Sequence, residues 1–223
     1  MVLTRIQTNL MRLHMNLNIT LVGTGNMGSA LAARISKAGH SLVIAGRNAD
    51  KAKALAQSAG GTYKSTRATD GADVVIVATG YGDAVEALRG AGDLNGKVVI
   101  DITNPLTADY MGLTIGHSTS AAEEIQKAFP QAKVVKAFNT IFAQVLGEGP
   151  KLAGATVPVY FAGEDSAAKE TVKQLIQSMG FLAVDAGGLK NARYLESLAG
   201  LNIYFGYGAG RGTSIAPAWI GIQ

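Results

Sequence analysis

The chain has 223 residues, of which 48% are apolar and 16% charged, so a sizeable core is expected and disorder is not. Its net charge of +4, with no long run of Lys and Arg, is too mild to favour nucleic acid as a partner. The absence of cysteine excludes disulfides, thiolate catalysis and Cys-ligated metals. No uninterrupted apolar run approaches the roughly 18 residues of a membrane span, so no membrane partner is expected.

Residues 1–16 differ from the rest of the chain in charge. They contain Arg5 and Arg12 but no acidic residue, and they lack the continuous apolar stretch of a signal peptide. We therefore expect a disordered extension here, with Met11 or Met15 as the natural start.

A glycine motif follows the first apolar run, and helix-forming residues follow the motif. This order of strand, turn, helix and second strand favours a dinucleotide-binding site. Gly23 permits the tight turn, Gly25 lets a pyrophosphate approach the backbone, and Gly28 lets the helix pack closely on the strand. Free N–H groups at the helix start would receive phosphate. The predicted binding residues of this loop are Gly23, Thr24, Gly25, Asn26, Met27 and Gly28.

The end of the second apolar run predicts which dinucleotide binds. An NAD site usually carries Asp or Glu there, whereas an Arg accommodates the 2′-phosphate of NADP. Here the chain reads Gly46-Arg47-Asn48, with Lys51 one turn into the next helix. Arg47 can bind phosphate through its planar guanidinium, and Lys51 adds a second positive charge. The pattern therefore favours NADP(H), and with it a cytoplasmic protein; the alternative is that Arg47 is a solvated loop residue.

In the rest of the chain, predicted strands alternate with predicted helices. Strands are predicted at residues 62–64, 73–78, 97–102, 133–137, 157–162 and 181–184. Helices are predicted at 49–59, 83–89, 120–129, 165–179 and 189–205. A capping box, Ser120-x-x-Glu123, opens the third of these helices, and Pro158 places its strand at an edge or at a strand start.

This alternation predicts an α/β fold, a Rossmann-type doubly wound, mostly parallel sheet with a small helical C-terminal lobe. We assign residues 1–16 to the extension, 17–187 to the NADP-binding domain and 188–223 to the lobe. In the lobe, Gly206 and Gly210 would let another helix approach closely, which suggests a dimer contact or a lid.

Ligands of open α/β sheets bind beyond the carboxyl ends of the strands. The loops at 79–81, 103–106 and 138–141 should therefore face one crevice. Asn104 and Asn139 suit the carboxamide of nicotinamide, or they build their own turns, and the two roles are compatible. The other predicted cofactor-binding residues of these loops are Ala78, Thr79, Gly80, Pro105 and Ala137.

The sequence shows no convincing general acid or base. It has no Tyr-x-x-x-Lys pair and no His/Asp/Glu cluster with metal-ligand spacing. His14 falls in the extension, His40 has the position of a structural turn residue, and His117 is only a weak catalytic candidate. A hydride transfer between two redox cofactors needs less, because two rings held face to face supply much of the rate.

Together these motifs resemble the deazaflavin-dependent NADP reductases and their bacterial relatives, including the cytosolic oxidoreductase domain of the STEAP ferric reductases. The stretches that carry the resemblance are 23–28, 46–51, 101–106, 134–140, 162–165 and 185–196. The resemblance implies NADP(H) in the glycine loop, with Gly46 where the family has a hydroxyl residue. It also implies a second cofactor against the nicotinamide, either 8-hydroxy-5-deazaflavin (coenzyme F420) or a flavin, and a homodimer.

Three functions stay open at this point. The first is an NADP(H)-dependent oxidoreductase that transfers hydride between NADPH and a deazaflavin or flavin-like acceptor. The second is a non-catalytic NADP(H)-binding redox sensor or partner protein. The third is a conventional dehydrogenase that uses His117.

Overall fold

The computed structural model describes residues 16–221. The predicted extension, with His14 and both candidate start residues, lies outside the described residues except for Asn16, whose Oδ1 accepts a hydrogen bond from Ser41 N (3.1 Å). The strands are β1 (Asn18–Val22), β2 (Ser41–Ala45), β3 (Thr62–Tyr63), β4 (Val74–Val77), β5 (Val98–Asp101), β6 (Lys133–Ala137), β7 (Lys151–Leu152), β8 (Ala155–Thr156), β9 (Pro158–Gly163) and β10 (Leu182–Asp185). The α-helices are α1 (Asn26–Lys37), α2 (Ala49–Ser58), α3 (Tyr81–Ala91), α4 (Ala121–Ala128), α5 (Ala143–Glu148), α6 (Ser166–Ser178) and α7 (Ala192–Ile203).

Eight of the strands form one sheet in the order β3-β2-β1-β4-β5-β6-β9-β10. Strands β1 to β6 are parallel, β9 is antiparallel to β6, and β10 is parallel to β9. Strands β7 and β8 form a separate antiparallel ribbon. The prediction of a doubly wound, mostly parallel sheet is confirmed.

Both faces of the sheet are buried, because successive residues of a strand point to opposite sides. In β4, Val74 and Ile76 pack in the layer of α1, α2, α5 and α6, whereas Val75 and Val77 pack in the layer of α3 and α4. A central strand covered in this way needs apolar residues at every position, which explains its unbroken Val/Ile sequence.

Some predicted boundaries differ from the structure. The helix predicted at 83–89 begins two residues earlier, because Gly80 is extended at the N-cap and Tyr81 starts the helix. Pro158 begins β9, so the strand-start alternative is right; the edge alternative is wrong, because β9 lies between β6 and β10. Helix α5 was not predicted. It has only six residues and is held from outside, since Arg34 of α1 donates hydrogen bonds to its last carbonyls.

The C-terminal segment is helical, as predicted. A 3₁₀ turn leads into α7, and a π-helical turn (Tyr204–Gly208) follows it. Within the described residues Gly206 lies against an aromatic ring, since a Cβ there would lie 2.6 Å from the Phe142 ring. The approach of another helix at Gly206 stays a prediction. A Cβ at Gly210 would meet no described atom within 4 Å. The division between residues 17–187 and 188–223 stays a prediction.

Gly28 makes a contact that no other residue type could make. A Cβ there would lie 2.4 Å from the carbonyl oxygen of Gly23, so Gly28→Ala should lower the free energy of unfolding by about 1–3 kcal/mol. Gly25→Ala is the matched control, because a Cβ there meets no atom within 4 Å and φ is −78°. Urea unfolding of both variants is the measurement, and equal stability of the two would contradict the packing argument.

Candidate functional site

A cavity of about 560 Å³ lies beyond the carboxyl ends of β1, β2 and β4. The strand order reverses here, because β2 lies on one side of β1 and β4 on the other, and ligands of such sheets bind at this point. Ser65, Asp83 and Glu86 line the cavity and were not predicted. The predicted residues that line it are Gly23, Thr24, Gly25, Arg47, Asn48, Lys51, Ala78, Thr79 and Gly80.

Gly23 allows a close backbone contact at the base of this cavity. Its φ is +125°, and a Cβ there would lie 2.4 Å from the carbonyl oxygen of Ala78. The turn after β1 therefore touches the end of β4 directly, which only glycine permits. This contact brings the glycine loop and the 78–80 loop to one site.

Two helices that begin at this site have no capping side chain. The N-cap residues are Gly25 for α1 and Gly80 for α3, and neither can cap with a side chain. By contrast, Asn48, Ser120 and Asp165 cap α2, α4 and α6 with side-chain oxygens. The first N–H groups of α1 and α3 are thus available to an anion.

One side of the cavity carries the predicted cations. Arg47 Nη2 lies 2.9 Å from Asp83 Oδ2, with side chains 84% and 50% exposed. Such an exposed pair contributes about 0–1 kcal/mol, so Arg47 can exchange its partner at little cost. Sequence reasoning missed Asp83 because it lies on α3, 36 residues from Arg47. Asn48 uses its side-chain oxygen to accept a hydrogen bond from Lys51 N (2.9 Å), so part of its role is to cap α2.

The predicted amides form a second group, beyond β5 and β6, that does not line this cavity. Asn139 Nδ2 donates to Asn104 Oδ1 (2.9 Å) and to Leu195 O (3.0 Å), and Asn104 Nδ2 donates to Asn139 O (3.1 Å). The two amides therefore join their loops to each other and to α7, instead of only building their own turns. Asn139 Oδ1 is buried and accepts no hydrogen bond from any described residue, whereas Asn104 is only half-buried and is the more accessible of the two amides.

The backbone just before Asn139 is strained. Phe138 has a φ of +63° and is fully buried. A non-glycine residue in this conformation costs of order 1 kcal/mol or more and persists only where its surroundings hold it. The packing around Phe138 therefore holds this backbone turn, from which the chain continues to Asn139.

A buried group of charges beside the amides was not predicted. Lys136 lies in the otherwise apolar strand β6, and Asp101 lies in the otherwise apolar strand β5. The Lys136 ammonium forms ion pairs with the carboxylates of Asp101 and of Glu196 in α7. Burial raises the pKa of Glu196 more strongly than Lys136 lowers it. The sequence did contain a sign of this group, because each of two otherwise apolar runs carries a charged residue, and charged residues are rarely buried without a partner.

The two histidines of the described residues do not line the cavity, and neither does Tyr81. His117 is exposed. Burial and the nearby carboxylates raise the pKa of Tyr81, so its hydroxyl stays protonated at neutral pH. His40 contacts Ser178 Oγ at 2.8 Å, as fits a structural role. Within residues 16–221, no three His, Cys, Asp or Glu residues are grouped to hold a metal ion.

Arg193 of α7 docks that helix onto the N-terminus of α4. It makes a bidentate pair with Glu123 (2.7 and 2.8 Å) and donates to the carbonyl of His117 (3.0 Å). The predicted capping box is present in part: Ser120 Oγ accepts from Glu123 N (3.2 Å), but the Glu123 carboxylate contacts Ser120 Oγ and not its N–H.

The described helices include none long and apolar enough to cross a bilayer.

Fold and site together define a dinucleotide-binding protein of the Rossmann type. Residues 18–105 match the family described as NADP oxidoreductase coenzyme F420-dependent. The crystal structure of a putative F420-dependent NADP reductase from Arthrobacter sp. FB24 superposes with a TM-score of 0.80, at 30% identity over 91% of this chain and 100% of that one. The chain therefore belongs to this family of NADP-dependent oxidoreductases.

Two curated relatives extend the comparison. The F420-dependent NADP reductase of Methanothermobacter marburgensis is 29% identical over 82% of this chain and 89% of its own length. Metalloreductase STEAP3 of Rattus norvegicus is 31% identical over 81% of this chain. The match spans only about a third of that metalloreductase, 36% of its length.

The Glu123 pair predicts a pH-dependent contribution to stability. Hydrogen bonds from Arg193 and then Ser120 hold the pKa of Glu123 below its usual range, despite partial burial. A lowered folded-state pKa stabilises the protein above the unfolded value of about 4.3, and the benefit is lost as pH falls through the folded value. Glu123→Gln should therefore lower the melting temperature at pH 7, and the difference from wild type should shrink towards pH 3.

Melting curves across this pH range make the test. Glu170→Gln, which removes an exposed pair with Lys173, is the control and should change little at any pH. A Glu123→Gln deficit that is the same at pH 3 and pH 7 would show that charge is not the cause.

Proposed function

We propose that this chain is an NADP(H)-dependent oxidoreductase that transfers hydride between NADPH and a deazaflavin or flavin-like acceptor. The observation that carries the proposal is the cavity at the strand-order reversal, with a glycine floor and with Arg47 and Lys51 on one side. The family supports NADP(H) as the coenzyme, and relatives named as F420-dependent NADP reductases support the class of acceptor.

The floor of the cavity fits a pyrophosphate. A Cβ at Gly25 would point into space free of described atoms within 4 Å, so phosphate oxygens can approach the backbone there. The uncapped N-termini of α1 and α3 would donate N–H groups to those oxygens. The chain therefore binds this part of the coenzyme through backbone groups, as the glycine motif predicts.

Arg47 and Lys51 would hold the 2′-phosphate. Arg47 would exchange Asp83 for a dianionic group that accepts charge-assisted hydrogen bonds. At Gly46, where the family has a hydroxyl residue, a Cβ would lie 3.2 Å from Thr24 Cγ2 and 3.9 Å from Thr24 Oγ1. The hydroxyl of Thr24 thus lies beside this position and can take the place of the missing one.

Asn104 and Asn139 would orient the nicotinamide. The half-buried amide of Asn104 would pair with the carboxamide, while Asn139 Nδ2 stays bound to Asn104 and Leu195 and holds that amide in place. When bound, the coenzyme supplies the hydride. The residues then need only position two rings and exclude water, which agrees with the lack of a convincing general base.

We propose that the acceptor binds in a second cavity, at the C-terminal segment. About 440 Å³ in volume, it is lined mainly by apolar residues of the C-terminal segment, and its wall includes Asn202, which donates to Thr140 O (3.2 Å) beside Asn139. Apolar walls with few polar groups suit a flat ring system. The residues that line this cavity include Leu198, Leu201, Asn202, Phe205, Arg211 and Trp219.

We also propose that the chain is a cytoplasmic homodimer. Tyr194, Tyr204 and Tyr207 are 74%, 51% and 64% exposed on the C-terminal segment, and exposed aromatic groups of this kind are typical of interfaces. The mass in solution tests this part, since a dimer would have twice the 23.0 kDa of the chain.

The 2′-phosphate assignment predicts a change in coenzyme preference. Arg47→Ala should weaken NADPH binding by about 1.5–3 kcal/mol, because it removes hydrogen bonds to a charged group, and should leave NADH binding nearly unchanged. Asp83→Asn is the companion variant. It removes a carboxylate that competes with the phosphate for Arg47, so NADPH binding should strengthen while NADH binding stays the same. Calorimetric titration measures both; equal losses for NADPH and NADH would refute the assignment.

The acceptor class is tested by turnover. Wild-type protein should oxidise NADPH when coenzyme F420, FMN or FAD is supplied, and Gly25→Ala should be folded but much slower, because its methyl group blocks the pyrophosphate. His117→Ala should keep its activity, since the hydride passes directly between the two rings and the proton taken up by the reduced acceptor can come from solvent. Tight NADPH binding without turnover of any acceptor, ferric chelates included, would favour a non-catalytic NADP(H)-binding protein.

A further inference from the structure

Lys136, Asp101 and Glu196 form a buried network of charges, called the Lys136 network below. The Lys136 ammonium lies 2.8 Å from Asp101 Oδ2 and 2.7 Å from Glu196 Oε1, and donates a third hydrogen bond to Thr103 O (2.5 Å). The three side chains are 0%, 0% and 1% exposed. All three N–H groups of the ammonium are used, so one nitrogen atom joins β5, β6 and α7.

The two carboxylates also hold backbone groups. Asp101 Oδ1 accepts a hydrogen bond from Thr103 N (2.8 Å), which fixes the start of the loop after β5. Glu196 accepts from Ala121 N (3.0 Å) and Ala122 N (3.4 Å), at the start of α4. The network therefore fixes the positions of four separate segments relative to one another.

Each arm of the network ends beside an amide of the proposed nicotinamide site. Thr103 precedes Asn104 directly. Lys136 is three residues before Asn139, with the strained Phe138 between them. Glu196 follows Leu195, whose carbonyl accepts a hydrogen bond from Asn139 Nδ2 (3.0 Å). The charges themselves are too deeply buried to reach a ligand, but the amides they hold lie beyond the carboxyl ends of β5 and β6, at the same edge of the sheet as the cavity.

Stability alone gives no reason for such a network. Removing three ionised groups from water is costly, and well-packed apolar side chains often serve a buried site equally well or better. The neighbours Val99, Ile100, Val134 and Val135 show that these strands otherwise carry apolar residues. What apolar packing cannot supply is a set of directed bonds that fixes several loops at once.

We propose that the Lys136 network positions Asn104 and Asn139 for the nicotinamide half of the coenzyme. This inference rests on the proposed function. The network acts through the amides and makes no contact with the coenzyme, so its members are positioning residues. The adenosine half, bound at Arg47 and the glycine loop, is independent of it.

A neutral triple variant separates positioning from stability. Lys136→Met, Asp101→Asn and Glu196→Gln together remove the charges but keep acceptors for Thr103 N and Ala121 N. The single variant Glu196→Gln serves if the triple variant does not fold. Lys169→Met is the control, because it breaks another lysine–aspartate pair, with Asp185, at the far edge of the sheet.

The measurement compares 2′,5′-ADP, which has only the adenosine half, with NADPH. Calorimetry should give a Kd for 2′,5′-ADP within about twofold of wild type, and a Kd for NADPH raised about tenfold, the loss expected when one hydrogen-bonded group is misplaced. Lys169→Met should change neither Kd. Melting temperatures measured alongside show that the variants are folded.

The outcomes distinguish this inference from the proposed function. A folded variant that keeps the wild-type ratio of the two Kd values overturns the inference and leaves the proposed function standing. Equal loss of affinity for 2′,5′-ADP and NADPH also overturns it, because the effect would then be general. Wild-type protein that binds NADPH no better than 2′,5′-ADP would overturn the nicotinamide site itself, and the inference with it.

Discussion

The close backbone contact among Gly28, Gly23 and Ala78 is the constraint on which the site depends. With no side chain at Gly28, the first turn of α1 lies against the carbonyl of Gly23. With none at Gly23, the turn after β1 lies against the end of β4. The N-termini of α1 and α3 consequently begin at the same crevice, and neither is capped by a side chain. A fold with two free helix N-termini at one point favours a ligand with two adjacent phosphates.

Charged groups are arranged in opposite ways at the two ends of the proposed coenzyme site. At the adenosine end, the Arg47–Asp83 pair is mostly exposed and weak, so a phosphate can replace Asp83 at little cost. At the nicotinamide end, the Lys136 ammonium is buried with all its donors used, so no ligand can displace its partners. The exposed pair allows Arg47 to exchange its carboxylate partner for a phosphate, whereas the buried ammonium holds its neighbouring strands and helix in fixed positions.

The sequence predicted the features that depend on local pattern. Unbroken apolar runs marked the central strands, and the glycine spacing marked the turn before α1, because both signals lie within a few neighbouring residues. The features it missed depend on distant partners. Asp83 meets Arg47 from another helix, and Glu196 meets Lys136 across 60 residues. Helix α5 was missed for the same reason, since α1 holds it in place.

The charged residues within β5 and β6 show how such a miss could have been avoided. Asp101 and Lys136 were both visible as charges in apolar runs, but each was counted only as part of a predicted strand. A buried charge requires a partner of opposite sign, and their neighbouring, parallel strands place the two residues side by side in the register. That register predicts the pair once the strand order is known. The third member needs the fold, because only the packing of α7 on the sheet brings Glu196 to Lys136.

The C-terminal segment contacts the proposed nicotinamide site although it lies beyond the last strand. Leu195 O accepts a hydrogen bond from Asn139, and Asn202 donates one to Thr140 O, so two consecutive residues of the loop after β6 are held by α7. Glu196, between them on the same helix, completes the buried charges. The predicted boundary near residue 187 therefore separates the sheet from a helix that is hydrogen-bonded to the loop after β6. Because Asn139 Nδ2 is bonded to Leu195 O, a movement of α7 would move Asn139, and under the proposed function it would also change the position of the nicotinamide.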